Sequence, residues 1–242
     1  MVYLGSKEKY SKYIVPIIQE AIDNNNIDTY IEPFVGGASI ITKVKCKNRI
    51  GYDISDTLIA LLCQARDDFS KVLNICNREL WDKGKEYVKN GVMPDNMTLA
   101  DIGAIEFFGS YAARGFPGGM ANNKNGVNYF QQRRSNMEKQ SPMLAGIDFK
   151  VSDYKNLKNI SNSVIYCDPP YANTKQYGYA NKSHFDYVFF WDWVRMLSKN
   201  NIVFISEQTA PSDFKVIWEK EAKRTVGTDN NFKATEKLFQ LK

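Results

Sequence analysis

The stretch TYIEPFVGGAS, residues 29–39, decides how this chain folds. Residues 29–34 form a mainly apolar run with the composition of a buried strand, and the glycine pair that follows is typical of a tight turn. We expect a helix over residues 38–45 and a second strand over residues 49–52. A strand, a turn, a helix and a further strand in this order indicate a doubly wound, parallel α/β sheet.

The remaining elements divide the chain into one sheet domain and one insertion. Residues 7–23 place their apolar side chains on one side of a predicted helix. Further strands are predicted at residues 149–151, 163–167, 201–206 and 238–241. Between the early and late strands, glycine, proline and asparagine residues interrupt helical pieces and then form a loop. We therefore assign residues 1–68 and 148–242 to the sheet domain and residues 69–147 to the insertion.

Composition limits the classes of protein to which the chain can belong. Its 242 residues, 43% hydrophobic and 24% charged, suit a soluble globular protein. No apolar stretch approaches membrane-spanning length, and polar residues over positions 7–13 interrupt any signal-peptide core, so we expect no membrane partner. The four cysteines lack CxxC spacing and the single His184 has no neighbouring ligands, which predicts a reducing cytoplasm and no metal. A net charge of +5 permits an anionic partner such as DNA.

A second informative stretch, DPPY, follows directly on the strand predicted at residues 163–167. The carboxylate of Asp168 and the carbonyl of Pro169 can both accept hydrogen bonds from a planar amino group. The ring of Tyr171 can stack on the flat ring that carries that amino group. The arrangement suits an exocyclic amine of a nucleobase, held for attack on an electrophile. The alternative interpretation is a proline-rich turn in which the acid serves as a cap.

The glycine turn and the strand ends beside it suggest a binding site for a small molecule. Glycines let the backbone approach a ligand closely, and Asp53 at the end of the second strand can accept hydrogen bonds from ribose hydroxyls. The spacing is not GxGxxG, and Glu32 stands where a dinucleotide site binds pyrophosphate. An acid there suits a ligand with a positive centre, such as S-adenosylmethionine. A plain strand-to-helix turn is the alternative.

Taken together, these segments resemble the Dam-type DNA adenine N6-methyltransferases. The likeness rests on YLGSK at residues 3–7, EPFVGGAS at residues 32–39, Asp53 and DPPY at residues 168–171. It implies a Rossmann-like, S-adenosylmethionine-dependent methyltransferase sheet with an inserted, mainly helical target-recognition region. The implied activity is direct transfer of a methyl group from S-adenosylmethionine to the N6 amino group of adenine, on a base flipped out of double-stranded DNA.

The resemblance also assigns roles to residues. The catalytic residues implied by it are Asp168, Pro169 and Tyr171. The residues expected to contact the cofactor are Tyr3, Lys7, Glu32, Pro33, Phe34, Gly36, Ser39, Asp53, Asp153 and Asp168. The residues of the insertion expected to contact DNA are Arg114, Lys124, Arg133 and Arg134, with Gln131 or Gln132 as a reader of an adenine edge. We expect a monomer in solution.

Two alternatives to this interpretation stay open at the level of sequence. One is an enzyme that methylates a different amine, either cytosine N4 or an adenine of RNA. The other is a DNA-binding protein that keeps the fold without catalysis. The sequence also leaves open the recognition site, for which GATC is common in the family, the existence of a partner endonuclease, and a bacterial or phage origin.

Overall fold

The computed structural model describes residues 1, 3, 5–121, 127–171, 185–223 and 233–242. Its strands are β1 (Thr29–Glu32), β2 (Asn48–Asp53), β3 (Ile147–Val151), β4 (Val164–Cys167), β5 (Ile202–Glu207), β6 (Phe214–Lys223) and β7 (Lys233–Leu241). Its α-helices are α1 (Ser11–Asn24), α2 (Asp56–Asp67), α3 (Arg78–Asn90), α4 (Leu99–Gly109), α5 (Tyr129–Gln140) and α6 (Tyr187–Leu197).

The strands form one mixed sheet in the order β3-β2-β1-β4-β5-β7-β6. Strands β1 to β5 are parallel to their neighbours, β7 is antiparallel to β5, and β6 is antiparallel to β7. The chain order reverses between β1 and β4, and open α/β sheets bind ligands at the carboxyl ends of their strands at such a reversal. The predicted doubly wound sheet is confirmed, and its closing pair is antiparallel.

Helices cover both faces of the sheet because successive strand residues point to opposite sides. Tyr30 and Tyr166 belong to the same hydrophobic cluster as the apolar side chains of α1, α2 and α4. Ile31 and Ile165, one position away in each strand, pack with those of α6. The sheet is therefore the middle of three layers. Within the described residues, no helix is both long enough and apolar enough to cross a membrane.

The helix predicted over residues 38–45 is wrong, because this segment folds as consecutive turns. Ala38 has a positive φ of 57°, and the amide of Lys43 donates to the carbonyl of Ile40 over 2.8 Å, as in a turn. Several residues here are β-branched, and three of them, Ile40, Ile41 and Val44, are buried. β-Branched residues favour helix weakly, and burial of their side chains here stabilises the turns instead.

The inserted region is mainly helical and is tightly joined to the sheet domain. It contains α3, α4 and α5, and α4 is buried along almost its whole length against α2. The two helices approach most closely at Gly103, where an added Cβ would lie only 2.2 Å from the carbonyl oxygen of Thr57. Trp81 and Phe116, with ring centroids 4.8 Å apart, belong to a smaller cluster on the other side of α4.

Gly103→Ala should lower the free energy of unfolding by about 1–3 kcal/mol, because the methyl group overlaps the backbone of α2 and forces the helices apart. This loss should exceed the gain of about 1 kcal/mol in helix propensity. Urea denaturation followed by circular dichroism measures it, with the exposed Lys85→Ala in α3 as a control expected to change little. An unchanged midpoint for Gly103→Ala would show that the close contact contributes nothing to stability.

Candidate active site

Three acids that the sequence places at strand ends come together at the carboxyl edge of the sheet. Glu32 is the last residue of β1, Asp53 is the last residue of β2, and Asp168 directly follows β4. Strand β1 lies between β2 and β4, so the three ends are neighbours. The edge of the sheet at the chain reversal is therefore acidic.

Lys7 supplies positive charge to this edge from the segment before α1. Its side chain is buried, and Nζ lies 2.8 Å from Oδ1 of Asp168 and 4.5 Å from the centroid of the Tyr171 ring. Burial lowers the pKa of Lys7, but Asp168 and Glu236 outweigh burial, so the pKa is raised and the ammonium is kept. Burial raises the pKa of Asp168 to about 6, against the opposing effect of Lys7.

Glu236, in β7, is a residue of this site that the sequence analysis missed. Its Oε1 accepts a hydrogen bond from the hydroxyl of Tyr171 and lies 3.7 Å from Nζ of Lys7. Tyr187 at the start of α6 was missed as well, and its hydroxyl donates to the carbonyl of Pro170 over 2.8 Å. The one signal for Glu236 in the sequence is an acid that alternates with the apolar Leu238 in a predicted strand region.

The glycine turn packs directly against Tyr3. A Cβ added at Gly37 would lie 2.8 Å from Cβ of Tyr3, and one at Gly36 would lie 3.0 Å from Cε1 of the same ring. Gly36 also has a positive φ of 47°, a backbone conformation that residues with a side chain rarely adopt. The other side of Tyr3 faces Phe107 of the insertion, with ring centroids 5.6 Å apart. The structure therefore brings the predicted cofactor residues Tyr3 and Gly36 into contact.

Asp53 is fixed beside the same turn by backbone amides. Oδ2 accepts from the amide of Gly36 and Oδ1 accepts from the amide of Ser55, each over 3.1 Å. Burial raises the pKa of Asp53, while these amides act in the opposite direction. Ser55 in turn caps α2 by accepting from the amide of Leu58, so the acid, the turn and the helix are held together. The two carboxylate oxygens keep lone pairs that suit a pair of ribose hydroxyls.

Glu32 is almost completely buried, with 2% of its surface exposed. Its Oε1 accepts a hydrogen bond of 2.7 Å from the hydroxyl of Tyr30. Burial raises the pKa of Glu32 to about 8, so the side chain is mostly protonated at neutral pH. A positively charged group bound beside Glu32 would lower the pKa of this acid and convert it to a carboxylate.

Aromatic rings cluster around Tyr154, the residue that follows Asp153. Phe34 and Tyr154 have ring centroids 5.2 Å apart, and Tyr154 lies 5.4 Å from Phe185. Asp153 accepts a hydrogen bond of 3.0 Å from the amide of Lys155. Among the described residues, the buried hydroxyl of Tyr154 has no hydrogen-bond partner. Flat apolar rings beside a buried hydroxyl suit an aromatic ligand.

The other residues predicted to contact the cofactor lie on the turns after β1. Pro33 is buried immediately after the strand, and Ser39 is half-buried two residues after the glycine pair. The carbonyl of Ser39 accepts a hydrogen bond of 2.8 Å from Nζ of Lys43. Both residues therefore belong to the same edge as Glu32, Phe34 and Gly36.

The structure places Arg133 inside the fold. This side chain is 7% exposed, and its Nη1 donates to the carbonyl of Phe108 over 2.9 Å and also to the carbonyl of Ser110. A phosphate contact requires an accessible guanidinium. Arg133 therefore holds the end of α4 in place, and its burial argues against the predicted contact with DNA.

The remaining candidates for DNA contact lie in different environments. Arg134 is half-buried, donates to the carbonyls of Val72 and Leu73, and lies 4.6 Å from the ring of Phe69. Arg114 is half-buried near Tyr111. Gln131 and Gln132 are exposed, and Gln131 donates to the carbonyl of Asn74. Lys124 lies outside the described residues.

Metal ligands and disulfides are not found in the part of the chain that the structure describes. No group of three or more His, Cys, Asp or Glu side chains there is arranged to hold a metal ion. All of Cys46, Cys63, Cys76 and Cys167 are free thiols. The chemistry described below uses carboxylates, carbonyls and aromatic rings.

A reversed α/β sheet, a glycine turn beside strand-end acids and DPPY after β4 are features that this chain has in common with the S-adenosylmethionine-dependent amino-methyltransferases it resembles. The model of the D12 class N6 adenine-specific DNA methyltransferase family matches residues 3–190, and the chain belongs to this family. It is an enzyme that uses S-adenosylmethionine to methylate the N6 amino group of adenine in DNA.

Comparison with solved structures gives methyltransferases of low sequence identity. The chain is similar to the rRNA methyltransferase AviRa from Streptomyces viridochromogenes, with 9% identity, a TM-score of 0.44, and coverage of 96% of this chain and 83% of that one. It is also similar to TrmN from Thermus thermophilus, with 9% identity, a TM-score of 0.36, and coverage of 93% and 48%, respectively. A search of curated proteins finds no match.

Binding of S-adenosylmethionine should release a proton near pH 7. The positive charges of the cofactor favour the carboxylate form of Glu32, so its pKa of about 8 falls on binding and the affinity rises as the pH rises from about 6 to 8. Calorimetry in two buffers with different ionisation enthalpies counts the protons released. Glu32→Gln should abolish the release, whereas Glu8→Gln, exposed before α1, should leave it intact. Equal release by wild type and Glu32→Gln would contradict this role.

Proposed function

We propose that the enzyme acts on double-stranded DNA, on an adenine that has left the duplex and lies between Asp168 and Tyr171. The observation that supports this most directly is the position of the Lys7 ammonium. Nζ is a nitrogen donor held 2.8 Å from the Asp168 carboxylate and over the face of the Tyr171 ring. An exocyclic amine of a stacked base needs the same two partners.

In this proposal, Asp168 and the carbonyl of Pro169 accept the two N–H groups of the adenine amine. The nitrogen is a poor nucleophile because its lone pair is delocalised into the ring, and acceptors for its hydrogens return electron density to it. Positive charge grows on the nitrogen during the reaction, so a fixed carboxylate stabilises the transition state more than the ground state. S-adenosylmethionine, when bound, supplies the methyl group on its sulfonium. Alignment of two reactants contributes roughly 7–11 kcal/mol to such reactions.

Tyr171 receives the flipped base. Extrusion of a base from a duplex costs a few kcal/mol. Stacking on an aromatic ring contributes about 1–3 kcal/mol per base and offsets much of that cost. The ring of Tyr171 already faces a cation in the structure described here, and its hydroxyl is anchored on Glu236.

The cofactor residues divide by the chemistry of their groups. Asp53 binds the ribose hydroxyls, and Glu32 faces the positive end of the cofactor. Phe34, Asp153 and the hydroxyl of Tyr154 bind the adenine. Tyr3 covers the glycine turn, which the structure supports through their close packing.

DNA recognition is assigned to the inserted region, residues 69–147. Arg114 and Lys124 are the basic residues proposed to contact phosphates, since Arg133 and Arg134 donate to carbonyls within the fold. We propose that the enzyme acts as a monomer in the cytoplasm of a bacterium or of a phage-infected cell.

Asp168→Asn should abolish methyl transfer, because an amide can donate to the base amine instead of accepting from it and carries no charge. Single-molecule sequencing of DNA from cells that express the protein measures both the target base and the recognition site. Asp148→Asn, an exposed acid in β3, is the matched control and should methylate normally. Methylated adenine in the Asp168→Asn sample would refute the assigned mechanism. Methylation of cytosine, or of RNA alone, would favour the alternative substrates.

The double variant Arg114→Ala, Lys124→Ala should bind DNA more weakly and with a flatter salt dependence. Loss of two phosphate contacts reduces the slope of log K against log salt by about 1.8. Fluorescence anisotropy over a range of salt concentrations measures this slope. Lys47→Ala, an exposed lysine before β2, should leave the slope unchanged. An unaltered slope in the double variant would move the DNA surface elsewhere.

A further inference from the structure

We propose that Glu236 is a positioning residue for methyl transfer, which anchors the Tyr171 ring and receives the Lys7 ammonium when the target base displaces it from Asp168. This inference rests on the proposed position of the base between Asp168 and Tyr171. Glu236 lies outside residues 3–190, the part of the chain that the family model matches.

The topology of the sheet brings Glu236 to the active edge. Strand β7 is antiparallel to β5, so the first half of β7 lies beside the carboxyl end of β5, where Glu207 pairs with Lys237. Glu236, which directly precedes Lys237, is 8% exposed. It lies two positions from the fully buried Leu238, on the same side of the strand. A carboxylate is therefore built into the core side of a strand at the edge where the reaction takes place.

Two residues of the site contact the Glu236 carboxylate. Its Oε1 accepts the hydrogen bond of the Tyr171 hydroxyl and lies 3.7 Å from Nζ of Lys7. Nζ of Lys7 lies closer to Asp168, at 2.8 Å. The buried ammonium of Lys7 thus lies between two carboxylates. It is closer to Asp168, the carboxylate that the base also needs.

The base and the ammonium compete for the same partners. Both require the Asp168 carboxylate and the face of the Tyr171 ring, so the ammonium must leave Asp168 as the base enters. A buried ammonium without an acceptor is strongly unfavourable. Among the described residues, Asp168 and Glu236 are the carboxylates within ion-pair distance of Lys7. A short movement of Nζ toward Glu236 releases Asp168 for the base and keeps the positive charge paired.

The hydrogen bond from Tyr171 gives Glu236 a second effect. A phenol whose O–H donates to a carboxylate is restricted in rotation and tilt, so the ring is oriented before the base arrives. The acceptor also increases electron density on the ring, which favours stacking on a base that gains positive charge. Both effects make the same carboxylate necessary for positioning the amine.

The charge of Glu236 also affects the protonation of Asp168. The charged or titratable groups that face Asp168 are Lys7, Glu236, Tyr171, Glu32, Tyr166 and Cys167, with Glu207 facing Lys7. Burial raises the pKa of Asp168 to about 6, Lys7 acts in the opposite direction, and Glu236 contributes in the same direction as burial. Activity requires the carboxylate, so it falls as the pH drops through this value. This fall is the acid limb of the pH–activity profile. Removal of the Glu236 charge should move the acid limb to lower pH.

The test compares Glu236→Gln and Tyr171→Phe with wild type in a tritiated-methyl assay on DNA across pH 5–8. We expect Glu236→Gln to lower kcat/KM at pH 7.5 at least about tenfold, because positioning is lost, and to move the acid limb to lower pH. Tyr171→Phe keeps both carboxylates and removes the hydrogen bond to Glu236, so its acid limb should not move to lower pH. A variant that only lost folded protein would be less active, but its acid limb would stay at the pH of the wild-type acid limb.

Two further measurements complete the test. Because Glu236 acts partly through Lys7, Glu236→Gln should lower kcat/KM by a smaller factor in the Lys7→Met background than in wild type. Equal factors in the two backgrounds would overturn the part played by Lys7. Glu219→Gln, in the same hairpin and 3.9 Å from Lys237, is the control and should match wild type.

The outcomes separate this inference from the proposed function. Wild-type kcat/KM and an unmoved acid limb in Glu236→Gln, with an active wild type, would overturn the role of Glu236 alone. Absence of DNA methylation by the wild type would overturn both. If Glu236→Gln does not fold, Glu236→Asp replaces it, and full activity of both Glu236→Asp and Tyr171→Phe would overturn the inference.

Discussion

The ammonium group of Lys7 allows buried carboxylates to accumulate at one edge of the sheet. Asp168 and Glu236 are both within ion-pair distance of it, and their side chains are 20% and 9% exposed, respectively. Two neighbouring acids without a cation would repel each other, which disfavours the charged form of the pair. With the ammonium between them, Asp168 keeps a pKa of about 6 and is an acceptor under physiological conditions. Among the described residues, no ion pair to Glu32 is found, and burial raises its pKa to about 8.

The segment that carries Lys7 also connects the two halves of the site. Tyr3 packs on the glycine turn after β1, and Lys7, four residues later, reaches the DPPY motif after β4. Residues 3–7 therefore connect the glycine turn, the proposed cofactor site, to DPPY, the proposed site of the base. Tyr3 meets Phe107 of α4 as well, so this stretch also touches the inserted region.

Much of the fold and part of the site could be predicted from the sequence because the signals are local. The apolar strands, the glycine pair and the acids at strand ends lie within a few residues of one another, and the sheet brings them to one edge. The turns at residues 38–45 were predicted as helix because apolar spacing alone does not distinguish a helix from buried turns. Arg133 looked like a surface charge because nothing nearby shows that the carbonyls of Phe108 and Ser110 surround it.

Glu236 could not be found from the sequence for a related reason. Its partners Tyr171 and Lys7 are 65 and 229 positions away, and only the antiparallel return of β7 brings them together. No motif includes such contacts, because they arise from strand order. Residues that position a catalytic group from a distant strand become visible only when the topology is known.

The contact between Gly103 and Thr57 determines where the proposed recognition region, residues 69–147, can be exchanged between relatives. Helix α4 belongs to the insertion by its place in the chain, yet its backbone lies directly against α2 of the sheet domain. A chimaera joined before α4 would have to reproduce that backbone contact with a foreign helix. A graft confined to the chain beyond α4 leaves the contact untouched. The unit available for engineering new sequence specificity is therefore shorter than the insertion itself.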